Sequence, residues 1–161
     1  MALTDTQKDL MRDTWYEVTL DIKANGEAFY LALFAEHPNF IDYFEKFRGK
    51  KLEDLKGSNK LISHAVLAMK NISELIAALD DVEALVGVMH EIVDSHYPRN
   101  IVYSHYVKTF DVLLAVLGQA LGDQWTPEVK ESWSTAFTIL LSVSEARLAT
   151  LETQGEEGVQ E

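Results

Sequence analysis

The chain has no cysteine among its 161 residues, which removes disulfide frameworks, thiolate metal sites and cysteine nucleophiles. That lack suits a reducing compartment, so a cytoplasmic, intracellular protein is expected. Proline stands only at positions 38, 98 and 127, leaving long tracts free of helix breakers. No run approaches the roughly 18 uninterrupted apolar residues of a membrane-spanning helix. The opening MALTDTQKDLMRD is charged too early for a secretory leader. Positive charge is short as well, with 14 Lys and Arg against 26 Asp and Glu, net −12. Binding nucleic acid requires neutralising phosphates, and anionic membranes repel the same surface, so neither is an expected partner. A small ligand or another protein is left.

Apolar residues make up 47% of the chain, enough for one continuous core. Their spacing follows a period of 3.6 nearly everywhere and a period of two almost nowhere, which predicts an all-α domain. Six or seven substantial helices are expected. The first runs from Asp5 to Leu20 behind a Thr4 cap, and the second from Ile22 to Glu36, ending ahead of Pro38. A short helical turn carries ProAsnPheIleAspTyrPhe into a polar connection. Ser58 caps a helix reaching Leu79, and Asp80-Asp81 opens one that lasts until Pro98. Another spans Ile101 to Leu121. Thr126-Pro127-Glu128 opens the last, which reaches about Leu151. Residues 1–153 form the domain, and the acidic, glycine-interrupted tail 154–161 is expected to be disordered.

Chemistry has few candidates. Projected at ~100° per residue, His96 falls in the middle of the stripe Leu85, Met89, Ile92. His64 lies about 60–80° from the centre of the stripe Leu61, Ala65, Ala68, Ile72, Ile76, at the margin of a buried face. A single histidine on an apolar stripe is more often a satisfied core residue than a ligand. His37, His90 and His105 read as solvated or capping. No HExxH, no GxSxG and no glycine-rich phosphate loop occurs, and Glu53-Asp54 and Asp80-Asp81 read as helix starts. In the second helix Gly26, Tyr30 and Leu33 share a face. Gly26 costs about 1 kcal/mol relative to alanine, so it predicts a close helix crossing, with Ala65 opposite. That crossing brings Tyr30 towards His64, and a buried tyrosine hydroxyl requires a partner.

These residues together resemble the globin family. GEAFYLALFAEHPNFIDYFEKF, from Gly26 to Phe47, is similar to its second-helix glycine, the helix-ending Phe34, the Pro38 turn, and Phe44 followed by Phe47. Trp15 resembles the first-helix tryptophan. LISHAVLAM around His64 resembles the distal-histidine segment, DSHYPRNIV around His96 the proximal one, and WTPEVKESW the opening of the last helix. His90 is a rival for the proximal position. From His96, however, Val102, Tyr106, Val107 and Phe110 fall at the family's offsets, whereas from His90 those offsets meet His96 and polar residues.

The resemblance implies a globin fold of six to eight helices around a haem pocket holding haem b (iron protoporphyrin IX). His96 would bind the iron, its other nitrogen donating to a carbonyl or to Ser95. Phe44 would stack on the porphyrin, with Phe47, Ala68, Ile92, Val102, Tyr106, Val107 and Phe110 around it. Lys46 and Arg99 would meet the propionates. Tyr30 and His64 would face a diatomic gas (O2, CO or NO). Thirty-two residues separate His64 from His96, a longer interval than in muscle globins and similar to nervous-system globins with two histidines on iron. This leaves five- and six-coordinate iron open. Ala68 stands where the family commonly has a bulkier residue, so ligand selectivity does not carry over. Reversible O2 storage or transport is the leading expectation. Peroxidase-like or nitric oxide dioxygenase turnover, and gas or redox sensing, are the alternatives, and monomer and homo-oligomer stay equally open.

Overall fold

The structure, a computed structural model, describes residues 2–159. Seven α-helices follow in order: α1 (Asp5–Thr19), α2 (Ile22–Glu36), α3 (Leu52–Leu55), α4 (Asn59–Ala77), α5 (Val82–His96), α6 (Tyr103–Leu121) and α7 (Pro127–Val159). Three 3-10 turns join them, at Pro38–Tyr43, Tyr97–Arg99 and Gly122–Gln124. Among the described residues there is no strand.

Local chemistry sets most of the boundaries. Thr4 and Gln7 form a reciprocal capping box at the start of α1, satisfying two otherwise unpaired amides. The Ser58 hydroxyl accepts from the Leu61 amide, and the Asp81 carboxylate from that of Ala84, so α4 and α5 begin where their caps stand. Pro38 stops α2 at Glu36. The polar connection after Phe44 contains the one-turn α3, held by Leu55, which is buried.

Two differences from the sequence reading have physical causes. Helix α5 ends at His96, because Pro98 already closes a 3-10 turn. Helix α7 runs past Leu151 through Gly155 to Val159, although every described residue beyond Leu151 is exposed. Extending an existing helix needs no new nucleus, so a proline-free tract continues despite two glycines. The tail expected to be disordered is therefore helical as far as Val159, and its last two residues lie outside the described range.

Packing then positions the site. A Cβ on Gly26 would sit 3.1 Å from the Ala65 Cβ and 3.2 Å from the Met69 Cγ, so α2 and α4 cross backbone to backbone there. On the opposite side α1 meets α7 through Trp15 and Trp133, whose ring centroids are 5.9 Å apart. Phe110 of α6 stacks on Phe137 of α7 at 4.7 Å. Arg147 of α7 grips Asp94 of α5 through two bonds of 2.7 and 2.8 Å. That pair holds the end of α5 against α7, and the guanidinium keeps the Asp94 carboxyl below its usual range. Asp94 is exposed and Arg147 half-buried, so solvent screens the pair and its role is to position α5.

Candidate haem cavity

Helices α2 and α4 meet at Gly26, but away from that crossing α2, α4, α5 and α6 leave a space among them. Between them lies a cleft with about 920 Å³ of space outside the protein atoms, part of it open solvent. Its wall is predominantly apolar. Tyr30, Phe44, Ala68, Ile92, His96, Tyr106 and Phe110, all singled out in the sequence, stand on it.

His96 ends α5 with its ring half-buried. Its Nδ1 lies 2.6 Å from the Ile92 carbonyl oxygen, one turn back, and 3.1 Å from the Ser95 hydroxyl, which itself donates to the same carbonyl. A carbonyl can only accept, so Nδ1 carries the proton and Nε2 keeps its lone pair. Burial pushes the His96 pKa below the usual imidazole value; the Ile92 bond opposes this and the charge of Arg99 adds to it. The ring is neutral at pH 7 and so able to coordinate a metal.

His64 stands off the cavity wall, behind an aromatic cluster. Its ring meets Tyr30 at 5.2 Å and Phe44 at 5.1 Å, both edge on, and Phe47 at 6.0 Å. Burial lowers its pKa first, then the charges of Lys46 and Arg99, and last that of His96. Those two exposed cations therefore lie near enough to the histidine to act on its ring. The Tyr30 hydroxyl is pushed well above its ordinary pKa by burial and stays protonated.

Several expected contacts are not on the wall. Phe47 is fully buried beneath Phe34 and Phe44, Val107 is half-buried, and Ser95 is exposed. Val102, the residue preceding α6, keeps 48% of its surface and is not on the cleft wall. Tyr106 is buried, and its hydroxyl has no hydrogen-bond partner. Burial and nearby Asp94 push its pKa up to about 12.

The structure also adds residues. His105, read as capping or solvated, is indeed a cap, its Nδ1 accepting from the Val102 amide at 2.9 Å. It is also half-buried on the cavity wall, 4.7 Å from the Tyr43 ring and 5.2 Å from Phe40, and burial, then Lys108, depresses its pKa. His37 is half-buried and stacks on Phe40 at 5.0 Å. Leu33 and Ile72, already placed on apolar faces, line the cleft, as do Phe29 and Leu75 one turn along from them, which helical periodicity could have found. Phe40 and Tyr43 sit in a 3-10 turn too short to show a period.

Comparison with known proteins agrees with this geometry. A globin of Nerita albicilla is 27% identical over 145 residues, covering 90% of this chain and 92% of that one. Cytoglobin-1 of Oryzias latipes is 31% identical, covering 86% of this chain and 79% of its own length. A hexacoordinated haem protein of an anhydrobiotic tardigrade shares the fold, with a TM-score of 0.83 at 19% identity over 90% of this chain and 94% of that one. The sequence model of the Globin family matches residues 27–144, from α2 to within α7, and the chain belongs to the globin family.

Proposed function

We infer from family membership that the chain binds diatomic gases through haem. We propose that this chain holds haem b in the cleft on His96 and binds O2 reversibly, for storage or transport, in a pocket framed by Tyr30 and His64. The observation that carries this reading is the His96 ring, neutral, locked by its bond to the Ile92 carbonyl, and set in an apolar wall. The cleft suits the group. A flat apolar macrocycle needs apolar walls, one imidazole lone pair, and cations near the mouth for its two carboxylates. Phe44, Ala68, Ile92 and Phe110 supply the walls, His96 the lone pair, and Lys46 and Arg99 the cations.

When bound, haem supplies an iron that takes a diatomic gas reversibly and places partial negative charge on O2. The chain does the rest. Ile92 and Ser95 hold the His96 ring in one tautomer and one orientation. Leu33, Ile72 and Leu113 keep water out. The Tyr30 hydroxyl, protonated at any physiological pH, donates towards the negative charge, and a neutral His64 offers a second N–H. A hydrogen bond to a charged acceptor contributes about 1.5–3 kcal/mol, a factor of ten or more in affinity. CO is less polar and gains less. Tyr30→Phe is therefore expected to accelerate O2 release about tenfold and CO release less than threefold. Equal effects on both gases, measured by flash photolysis and stopped flow, remove Tyr30 from this role.

His64 supports a second feature. Because burial keeps its ring neutral, it can also occupy iron as an internal sixth ligand, lowering apparent gas affinity by the fraction of open sites. Sharp split visible bands in the ferrous, unliganded protein are the expected result. One broad band means an open site and excludes His64 as a ligand.

A further inference from the structure

Helix α7 outlasts the core it packs on. Its inward stripe passes from buried Ser144 and Leu148 to half-buried Leu151, and the same face continues through Gly155 to Val159. Every described residue beyond Leu151 is exposed. The chemistry of these outer turns works against a helix. Gly155 and Gly158 are poor helix formers, and Glu152, Glu156 and Glu157 stand near the negative pole with no basic residue in the last turn. In so weak a stretch, one tertiary contact counts for much.

That contact is with Tyr97. A Cβ on Gly155 would lie 4.0 Å from the Tyr97 hydroxyl oxygen, at ordinary van der Waals distance. Tyr97 closes a shallow, open recess with Glu152, Gly155, Glu156 and Val159. The residue directly follows His96, and its amide donates to the Val93 carbonyl in the last turn of α5. Two residues before His96, Asp94 is gripped by Arg147 of the same α7. The final turn of α5 is thus held by α7 on both sides of His96, by an ion pair at Asp94 and by packing alone at Tyr97.

We propose that residues 152–159 form a strap, and that Gly155 and Tyr97 act together as positioning residues that fix where His96 sits. The action is mechanical. His96 and Tyr97 share a peptide bond, so freedom at Tyr97 becomes freedom at the imidazole. The Ile92 carbonyl sets the rotation of the ring, whereas the strap sets the place of the backbone that carries it. Because the strap is weak, small changes loosen or tighten it without unfolding the domain. The proposal rests on the haem reading, in which a fixed His96 holds the iron in a set place, but the strap itself can be observed in the bare protein.

The test pulls in both directions. Gly155→Ala adds a methyl group at contact distance from Tyr97 and also favours the helix. Gly158→Ala is the control, a similar gain for the helix with nothing within 4 Å of the added carbon. Truncation after Leu151 and Tyr97→Ala each remove the contact. In the bare protein, amide hydrogen exchange at Ser95 and His96 is expected to quicken about fivefold in both loosened variants. It should slow about threefold in Gly155→Ala and change less than about 1.5-fold in Gly158→Ala. Combining the truncation with Tyr97→Ala should add nothing to either alone, since each removes the same contact. With haem bound, the iron–imidazole stretching band, recorded by resonance Raman just after CO photolysis, should broaden in the loosened variants and keep its wild-type width in Gly158→Ala. Equal effects of Gly155→Ala and Gly158→Ala overturn the proposal, because helix strength alone then explains both. So do additive effects in the combined variant, or an unmoved iron–imidazole band in a chain whose exchange has quickened. The expected exchange changes in a chain that takes up no haem would instead overturn the haem reading and leave the strap standing.

Discussion

The two sides of this core treat buried polar atoms in opposite ways. Where α1 meets α7, the Trp133 indole donates to the Thr14 hydroxyl at 3.0 Å, which donates in turn to the Leu10 carbonyl at 2.7 Å. The Trp15 indole donates to Ser73 at 2.9 Å, and Ser132 and Ser144 bond back within α7. That side is satisfied in its hydrogen bonds and keeps only a smaller, apolar pocket beside Met11, Trp133 and Phe137. Around the cleft, three histidines stay half-buried and neutral, the Tyr106 hydroxyl has no partner, and space remains unfilled. A chain of this length could have closed a core there too. Leaving it open costs stability in the bare protein, a cost that a bound group offsets by mass action. Stability and function are thus drawn from different sides of one small domain.

The sharpest way to break this division is to strike each side once. Trp133→Ala should cost about 3–5 kcal/mol in urea unfolding of the bare protein, since Trp133 is 1% exposed and its partner Thr14 loses a donor. Haem dissociation from the folded variant should change less than threefold. A large change in haem release would show that the two sides are coupled and end the comparison. His96→Gly should do the reverse. Stability of the bare protein should stay within about 1 kcal/mol, because the residue ends α5 and is only half-buried. Haem transfer to a scavenging apoglobin should accelerate at least about a hundredfold, and added imidazole should slow it again. Retention of pigment with an unaltered spectrum would dismiss His96 as the anchor.

The satisfied side was the more legible in sequence. Thr4, Ser58, Asp81 and Pro127 announce helix starts through chemistry that acts within four residues, and each stands where its helix begins. Gly26 announced the crossing with Ala65 because a missing side chain on an apolar face has few other uses. The open side was legible only along its helices. His64 falls at the margin of its stripe as the projection indicates, but periodicity places a residue on a face without saying whether that face meets another helix or empty space. Hence Ile92 and His96, centred on the stripe of α5, are half-buried, while Val93 beside them is fully buried. His105 reads correctly as a cap, but spacing alone does not show that a residue capping with one nitrogen also turns its ring to the cleft. The overrun of α7 was invisible because no burial holds it there.

The finest test concerns a single atom. On the satisfied side, removing a hydroxyl such as that of Thr14 deletes a working partner. The Tyr106 hydroxyl is buried without one, so the desolvation of its O–H is uncompensated. Tyr106→Phe keeps the ring that lines the cleft, 6.4 Å from His96, and deletes only that atom. Stability of the bare protein should therefore rise by up to about 1 kcal/mol, the opposite sign to most buried substitutions. The haem-free and haem-bound forms separate two explanations of the orphan. If the gain is the same in both, the hydroxyl is a cost of fitting a long aromatic beneath α5. If the gain appears only without haem, the hydroxyl finds its acceptor when the cleft is filled, and the open side is then satisfied by its ligand much as the other side is by its own side chains. A loss of more than 1 kcal/mol in the bare protein would mean that the hydroxyl already has a partner, and would weaken the contrast between the two sides.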